Sequence, residues 1–92
     1  MGKAHLVPST PAQLGAVIRR IRQERELSVE ALAADAGIHW TYLSGIERGR
    51  RNPTWKVVGA IAASLGVEVS ELARRVESAQ RSSAGRDFAT TD

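Results

Sequence analysis

The chain has 92 residues, enough for one domain with a small hydrophobic core, and 13 Lys and Arg against 10 Asp and Glu give it a formal net charge of +3. It contains no cysteine, which excludes disulfides and thiolate metal sites, and its two histidines lie too far apart in sequence to form a local metal-binding motif. The longest nearly uncharged run, residues 5–18, contains prolines and polar residues, so it is neither a signal sequence nor a membrane span. We therefore predict a cytoplasmic protein without a metal or a cofactor.

Both ends of the chain differ in composition from its middle. Residues 1–9 carry no periodic apolar pattern, and residues 79–92 are small and polar. Such segments bury too little apolar surface to offset the entropy of ordering them. We predict a flexible N-terminal arm over residues 1–9, a folded domain over 10–78 and a flexible C-terminal tail over 79–92.

The first three helices are marked by residues that start and stop helices. Thr10 is suited to cap helix one, with Pro11 at the first helical position and Gln13 placed to complete a capping box. Apolar residues then recur every three or four positions, so helix one is predicted over residues 11–26. Ser28 and Gly37 delimit helix two at 29–36. Helix three is predicted over 40–48, before Gly49 and a turn.

The remaining chain predicts two more helices. Thr54 is expected to cap helix four, which ends at Gly66, and Ser70 is expected to cap helix five. No segment alternates apolar and polar residues with the period of a strand, so the predicted fold class is all-α with five helices. The apolar residues after Gly66 exceed what one helix of a small domain needs to bury, and they predict dimerisation through Val67, Val69, Leu72 and Val76.

Helices two and three have the form of a helix-turn-helix. Two short helices joined by a brief turn containing Gly present the second helix to the DNA major groove. Ala33 is small where the two helices must approach, and Gly37 permits the turn. A helical hairpin with no DNA role needs the same turn and the same apolar faces, so the pattern alone leaves both interpretations open.

The runs LAADAGI at 32–38 and TYLSGIERGRRNPT at 41–54, with LGV at 65–67, resemble the Xre/Cro-type helix-turn-helix regulators. This family includes phage repressors, restriction-modification controller proteins and antitoxins. The sequence of residues 39–48 is most similar to that of the controllers. The resemblance covers residues 12–77. It implies a five-helix, repressor-like transcriptional regulator that binds double-stranded DNA. It further implies a homodimer that reads an inverted-repeat operator through a recognition helix at about 39–48.

Two positions depart from the family pattern. Val29 stands where relatives commonly carry a Gln that bonds a phosphate, so this contact is expected to be missing. Trp40 stands where relatives carry a long polar residue, and an indole offers only one donor. The base preference of relatives therefore does not transfer to this chain.

Helix three supplies the predicted base-reading residues. Thr41 and Ser44 lie on its exposed side and can exchange hydrogen bonds with base edges, although a solvated surface needs the same residue types. Gly45 removes bulk where the helix would enter a groove, at a cost in helix propensity. Trp40 can contact bases or sugars, or it can pack against the N-terminal arm. His39 is expected only to cap the helix.

Phosphate binding is predicted for polar and basic residues within and after helix three. The Tyr42 hydroxyl can bond a phosphate even if its ring packs on helix four. A basic cluster uninterrupted by acids follows Glu47, and the N–H groups that begin helix four add to it. The predicted phosphate-binding residues are Tyr42, Arg48, Arg50, Arg51, Asn52 and Lys56. Glu47 does not suit a DNA contact, and the resemblance implies instead that it forms a structural ion pair with Arg22.

The sequence also bears on two other classes of function. An enzyme is disfavoured because the chain has no metal-ligand spacing, no phosphate-binding loop after a strand and no supported nucleophile set. A protein-interaction module, such as an antitoxin that binds a toxin or a factor that binds RNA polymerase, would have the same fold. The role of residues 67–92 distinguishes a DNA-binding regulator from a protein-interaction module. A regulator needs these residues only for homodimerisation, whereas an interaction module needs them to hold a different protein.

Overall fold

The computed structural model describes the backbone of residues 9–90 and the side chains of residues 9–80. Across this backbone the chain forms α-helices and no β-strand, which confirms the all-α prediction. The helices are α1 (Pro11–Glu24), α2 (Val29–Ala36), α3 (Trp40–Glu47), α4 (Trp55–Leu65) and α5 (Val69–Thr90). Helices α2 and α4 have the predicted bounds, and α1 and α3 each end slightly earlier than predicted.

Capping interactions explain why these bounds follow from local sequence. Thr10 and Gln13 form a reciprocal capping box, in which each side chain accepts a hydrogen bond from the other residue's N–H. The hydroxyls of Ser28 and Thr54 accept from backbone N–H groups in the first turns of α2 and α4. Gly37 and Gly66 end those helices in the left-handed conformation, each with a φ of 75°.

Helix α5 differs from the prediction at both ends. It begins at Val69, and the N–H of Leu72 donates to the carbonyl of Glu68, so Ser70 lies in the first turn instead of capping the helix. It continues to Thr90, where a flexible tail was predicted from residue 79. The segment after residue 78 contains no Pro and only one Gly, so its composition does not stop a helix already started. Of the predicted N-terminal arm, only Ser9 lies within the described residues.

The core lies where α1, α4 and α5 pack around the α2–α3 hairpin. It contains Val17, Ile18, Ile21, Leu32, Ala33, Leu43, Ile46, Val58, Ile61, Ala62, Leu65, Leu72 and Val76. Leu72 and Val76 are only 1% and 4% exposed in the single chain, so they pack mainly in its own core, and their part in a dimer surface stays a prediction. Both complete the core of the single chain, because α5 turns this face toward α1 and α4. Val67 and Val69 are half-buried against the same core.

Gly15 lets α1 lie directly on the C-terminal end of α3. A Cβ built on Gly15 would lie 2.7 Å from the carbonyl oxygen of Glu47 and nearer still to that of Ile46. Both atoms belong to the backbone and have no side-chain freedom to move away. Gly49, just after α3, has a φ of 76°, and a Cβ there would lie 2.8 Å from the Cα of Ala12. Glycine is therefore required at two points of the contact between α1 and α3.

We expect Gly15→Ala to lower the free energy of unfolding by about 1–3 kcal/mol, the usual cost of overpacking. The matched control is Gly59→Ala in α4, where a Cβ would meet no atom within 4 Å. That change should stabilise the chain by up to about 1 kcal/mol, because Ala favours the helix over Gly. Thermal unfolding of both variants measures the difference. Equal stabilisation by both changes would contradict the close approach at Gly15.

Candidate nucleic-acid interface

An ion pair between α1 and α3 sets the position of the helix that carries the candidate site. The Nε of Arg22 donates to Glu47 Oε2 at 2.7 Å, and its Nη2 donates to Oε1 at 3.0 Å. The two side chains are only 13% and 7% exposed. This bidentate hydrogen bond raises the pKa of Arg22 above its ordinary value, so the guanidinium stays charged. The structure thus contains the Arg22–Glu47 pair that the family resemblance implies.

The same guanidinium also fixes the turn before α2. Its Nη1 donates to the carbonyl of Leu27 at 2.8 Å. One side chain of α1 therefore binds the start of the helix-turn-helix and the end of its second helix. The Glu47 carboxylate is mostly buried and paired with Arg22, and it lines a small cleft that Arg19 and Arg48 also line.

The exposed side of α3 forms a shallow concave surface of about 410 Å³, here called the α3 surface. It is lined by Trp40, Thr41, Ser44, Gly45, Arg48, Arg50 and Arg51. These comprise all four residues predicted to read bases and three of the six predicted to bind phosphate. The fold therefore places short polar side chains and three guanidinium groups on one continuous surface.

Gly45 positions the arginines of the α3 surface. Its carbonyl accepts hydrogen bonds from the backbone N–H groups of Arg50 at 2.8 Å and Arg51 at 3.2 Å. A Cβ on Gly45 would lie 2.7 Å from the Cγ of Arg51. The space predicted to admit DNA is thus occupied in the free chain by the flexible side chain of Arg51, which lies across the helix.

Residues at the N-terminus of α3 are held by His39. Its side chain caps the helix by accepting a hydrogen bond from the N–H of Thr41, as predicted. The ring stacks on Trp40, with 6.0 Å between centroids and 26° between planes. Trp40 nevertheless remains 47% exposed, so part of the indole is available to a partner.

Three predicted phosphate-binding residues are not part of the α3 surface. Tyr42 is half-buried, and its ring packs against the core. Lys56 is exposed on α4 but lines none of the concave surfaces described here. Asn52 instead lines a different groove, together with residues of α5.

That groove, here called the α5 groove, has a volume of about 370 Å³. Its apolar wall comprises Pro11, Leu14, Trp55, Val58, Val69, Leu72, Ala73 and Val76, while Ser9, Thr10, Asn52 and Glu77 form its polar margin. Trp55 at its edge is 76% exposed, an unusual state for so large an apolar side chain. Sequence reasoning did not single out Trp55, because its helical position alone does not show which side it faces.

Arg19 is a second residue that the sequence analysis missed. It lies on α1 and shares a small cleft with Val29, with Ser44 and Arg48 of α3, and with the Arg22–Glu47 pair. Arg19 is exposed, so it extends the basic region to a third element of the fold. The packing of α1 against α3 creates this proximity, and no local sequence signal reports it.

A family model described as a helix-turn-helix domain matches residues 13–75. The chain belongs to this family. The prediction of a helix-turn-helix regulator fold from residues 32–54 is thereby confirmed. Within the described backbone, no helix combines the length and the apolar character needed to cross a membrane.

Similar proteins with regulatory names support this placement. The HTH-type transcriptional regulator DdrOP3 of Deinococcus deserti is 40% identical over 60 residues, which cover 65% of this chain and 46% of that protein. The matched part of the chain thus spans less than half of that relative. The clp gene regulator ClgR of Corynebacterium glutamicum superposes with a TM-score of 0.82 at 25% identity, covering 91% of this chain and 90% of that one. The restriction-modification controller protein C.AhdI of Aeromonas hydrophila superposes with a TM-score of 0.66 at 34% identity. The superposition covers 67% of this chain and 94% of that one.

We expect Glu47→Ala to destabilise this helix-turn-helix domain by roughly 3 kcal/mol, because it leaves the Arg22 guanidinium without its partner in a mostly buried site. Arg75→Ala is the control, since it removes the exposed pairs with Glu71 and Glu24. Exposed pairs contribute about 1 kcal/mol or less, so the control should unfold near the parent temperature. Thermal melts would contradict the structural role of Glu47 if both variants unfolded at the same temperature.

Proposed function

We propose that this protein is a sequence-specific regulator of transcription that binds double-stranded DNA through the α3 surface. One observation carries the proposal: short polar side chains and three arginines line one surface on the second helix of a helix-turn-helix. The matched proteins that are named as regulators and controllers support it. A location in the cytoplasm, where such a regulator meets DNA, is part of the same proposal.

We assign the recognition of bases and the electrostatic attraction to the DNA backbone to different residues. Thr41 and Ser44 are short enough to let α3 approach the base edges of the major groove. Arg48, Arg50 and Arg51 line the same surface, and guanidinium groups bind phosphate without regard to sequence. The pairing of Glu47 with Arg22 limits how far the Glu47 charge offsets the attraction of these arginines.

We also propose that two copies associate through the α5 groove to form a homodimer on an inverted repeat. The groove and the exposed Trp55 lie on the same face, so a two-fold axis through it lets each copy cover the apolar surface of the other. Glu77 is the one charged side chain in the lining, which favours an apolar partner surface. Val69, Leu72 and Val76, three of the four residues predicted from sequence, line this groove, and Trp55 and Leu14 join them in the proposed interface.

Such a dimer sets the spacing of the DNA half-sites. The two recognition helices of a symmetric helix-turn-helix dimer enter successive major grooves about 34 Å apart, one turn of B-DNA. The α5 groove is formed by α1, α4 and α5, so it leaves the exposed side of α3 free. DNA selected from random duplexes should therefore contain an inverted repeat.

Replacing arginines of the α3 surface should separate attraction from reading. Arg50→Ala and Arg51→Ala should weaken operator and random duplex about equally and reduce the salt slope by about one each. Ser44→Ala should cost about 1–3 kcal/mol on the operator and leave random DNA nearly unaffected. Titrations at several salt concentrations provide the measurement.

Arg74→Ala is the charge-matched control for these titrations, because Arg74 is exposed on α5 and lies outside the α3 surface. It should change neither the salt slope nor the preference for operator. If Ser44→Ala kept the full preference of the parent for operator, α3 would not be the reading helix.

Trp55→Glu should convert the dimer to a monomer, because it places a charge within the proposed apolar interface. Ala63→Glu is the control, an exposed position on the same helix that lies outside the groove. Sedimentation at tens of micromolar protein measures both, and circular dichroism checks that α-helix is retained. A parent chain that sediments as a monomer with and without operator would refute the dimer.

A further inference from the structure

His39 and Thr41 make two contacts at the start of the recognition helix. The backbone N–H of Thr41 donates to His39 Nδ1 at 3.1 Å, and the hydroxyl oxygen of Thr41 lies 2.7 Å from the same nitrogen. Both contacts involve one ring nitrogen, so they restrict each other. Thr41 is also the first residue of α3 that has a hydroxyl on the α3 surface.

These two contacts determine where the hydroxyl hydrogen points. A backbone N–H can only donate, so Nδ1 must be the acceptor and must carry no proton. The neutral ring then holds its proton on Nε2. The hydroxyl oxygen would oppose lone pair against lone pair unless it also donated to Nδ1. The hydrogen of the Thr41 hydroxyl is therefore directed at His39, and only the oxygen lone pairs face outward.

The orientation of the ring is itself held in place. His39 has the extended backbone of an N-cap residue, with φ of −72° and ψ of 142°. The indole of Trp40 stacks against the ring from the adjacent position. This gives the large residue at position 40 a role that does not require a base contact of its own. It supports the ring that directs the hydroxyl of its neighbour.

We propose that His39 is a specificity-determining positioning residue that makes the hydroxyl of Thr41 act only as an acceptor toward DNA. This inference rests on the proposed function, since it concerns how the α3 surface reads bases. An acceptor in the major groove recognises an exocyclic amino group, which is N6 of adenine or N4 of cytosine. It does not recognise the keto oxygens of guanine and thymine. Without this partner, the threonine hydroxyl is free to rotate, so it can accept a hydrogen bond from an amino group or donate one to a keto oxygen.

The test uses the full chain and an operator obtained by selection from random duplexes. Thr41→Val keeps the shape of the side chain and removes the hydroxyl. The base pair read by Thr41 is the one whose substitution weakens binding of the parent but does not weaken binding of Thr41→Val. At that pair, one duplex loses the amino group, with purine for adenine or 2-pyrimidinone for cytosine. A second duplex loses the keto oxygen, with 5-methyl-2-pyrimidinone for thymine or 2-aminopurine for guanine.

We expect loss of the amino group to weaken binding of the parent by about 5-fold to 150-fold, the range for one base contact. Loss of the keto oxygen should have little effect on the parent, and Thr41→Val should be insensitive to both duplexes. His39→Asp should retain the parent pattern, because a carboxylate accepts from the same two groups and is a favourable cap. Its added negative charge affects all duplexes alike, so it cancels in the ratio between them.

His39→Gly should lose the preference, because the hydroxyl is then free to rotate while Gly still serves as a cap within a few tenths of a kcal/mol. Circular dichroism confirms that its helices remain. His39 would not direct the hydroxyl if His39→Gly kept the parent's ratio of affinities for the two duplexes. The same conclusion would follow if loss of the keto oxygen, instead of the amino group, weakened binding of the parent. If Thr41→Val changed the preference at no base pair, Thr41 would not read bases and this inference would fail, whereas Ser44→Ala tests separately whether α3 is the reading helix.

Discussion

The contact between α1 and α3 is the constraint on which the candidate site depends. An eight-residue helix is too short to be stable alone, so the position of α3 has to come from packing. Arg22 fixes the position of α3 by binding Glu47 at the end of α3 and the Leu27 carbonyl before α2. Gly15 supplies the close approach that this geometry requires. A mostly buried ion pair adds little net stability over an apolar pair, so its value here is a single defined orientation.

The charge of the molecule becomes informative only when it is placed on the fold. A net charge of +3 is modest for a DNA-binding protein. Pairing with Arg22 removes Glu47 from the exposed side of α3, and the Gly45 carbonyl folds the following turn back so that Arg50 and Arg51 rejoin that side. Arg19 extends the basic region onto α1. Local concentration of cations, more than their sum, is what attracts a phosphate backbone.

The two tryptophans mark the two surfaces to which function is assigned. Trp40 lies at the edge of the α3 surface and stacks on His39, and Trp55 lies at the edge of the α5 groove. Helix α4 begins with Trp55 immediately after the turn that carries the arginines. The same short segment of chain therefore connects the surface proposed to bind DNA with the surface proposed to bind a second copy.

The sequence by itself determined the first four helices, since caps such as Thr10 and Gly37 act within about four residues and depend on no distant partner. It also indicated the polar side of α3, and the family resemblance implied the Arg22–Glu47 pair. Tertiary structure decided which apolar residues of α5 are core and which are surface, and it placed Asn52 in the groove beside α5. It alone revealed the closeness of Arg19 to α3 and the contact between the Thr41 hydroxyl and the His39 ring. Helical periodicity shows that residues share a face, but only the packed neighbours determine what that face meets.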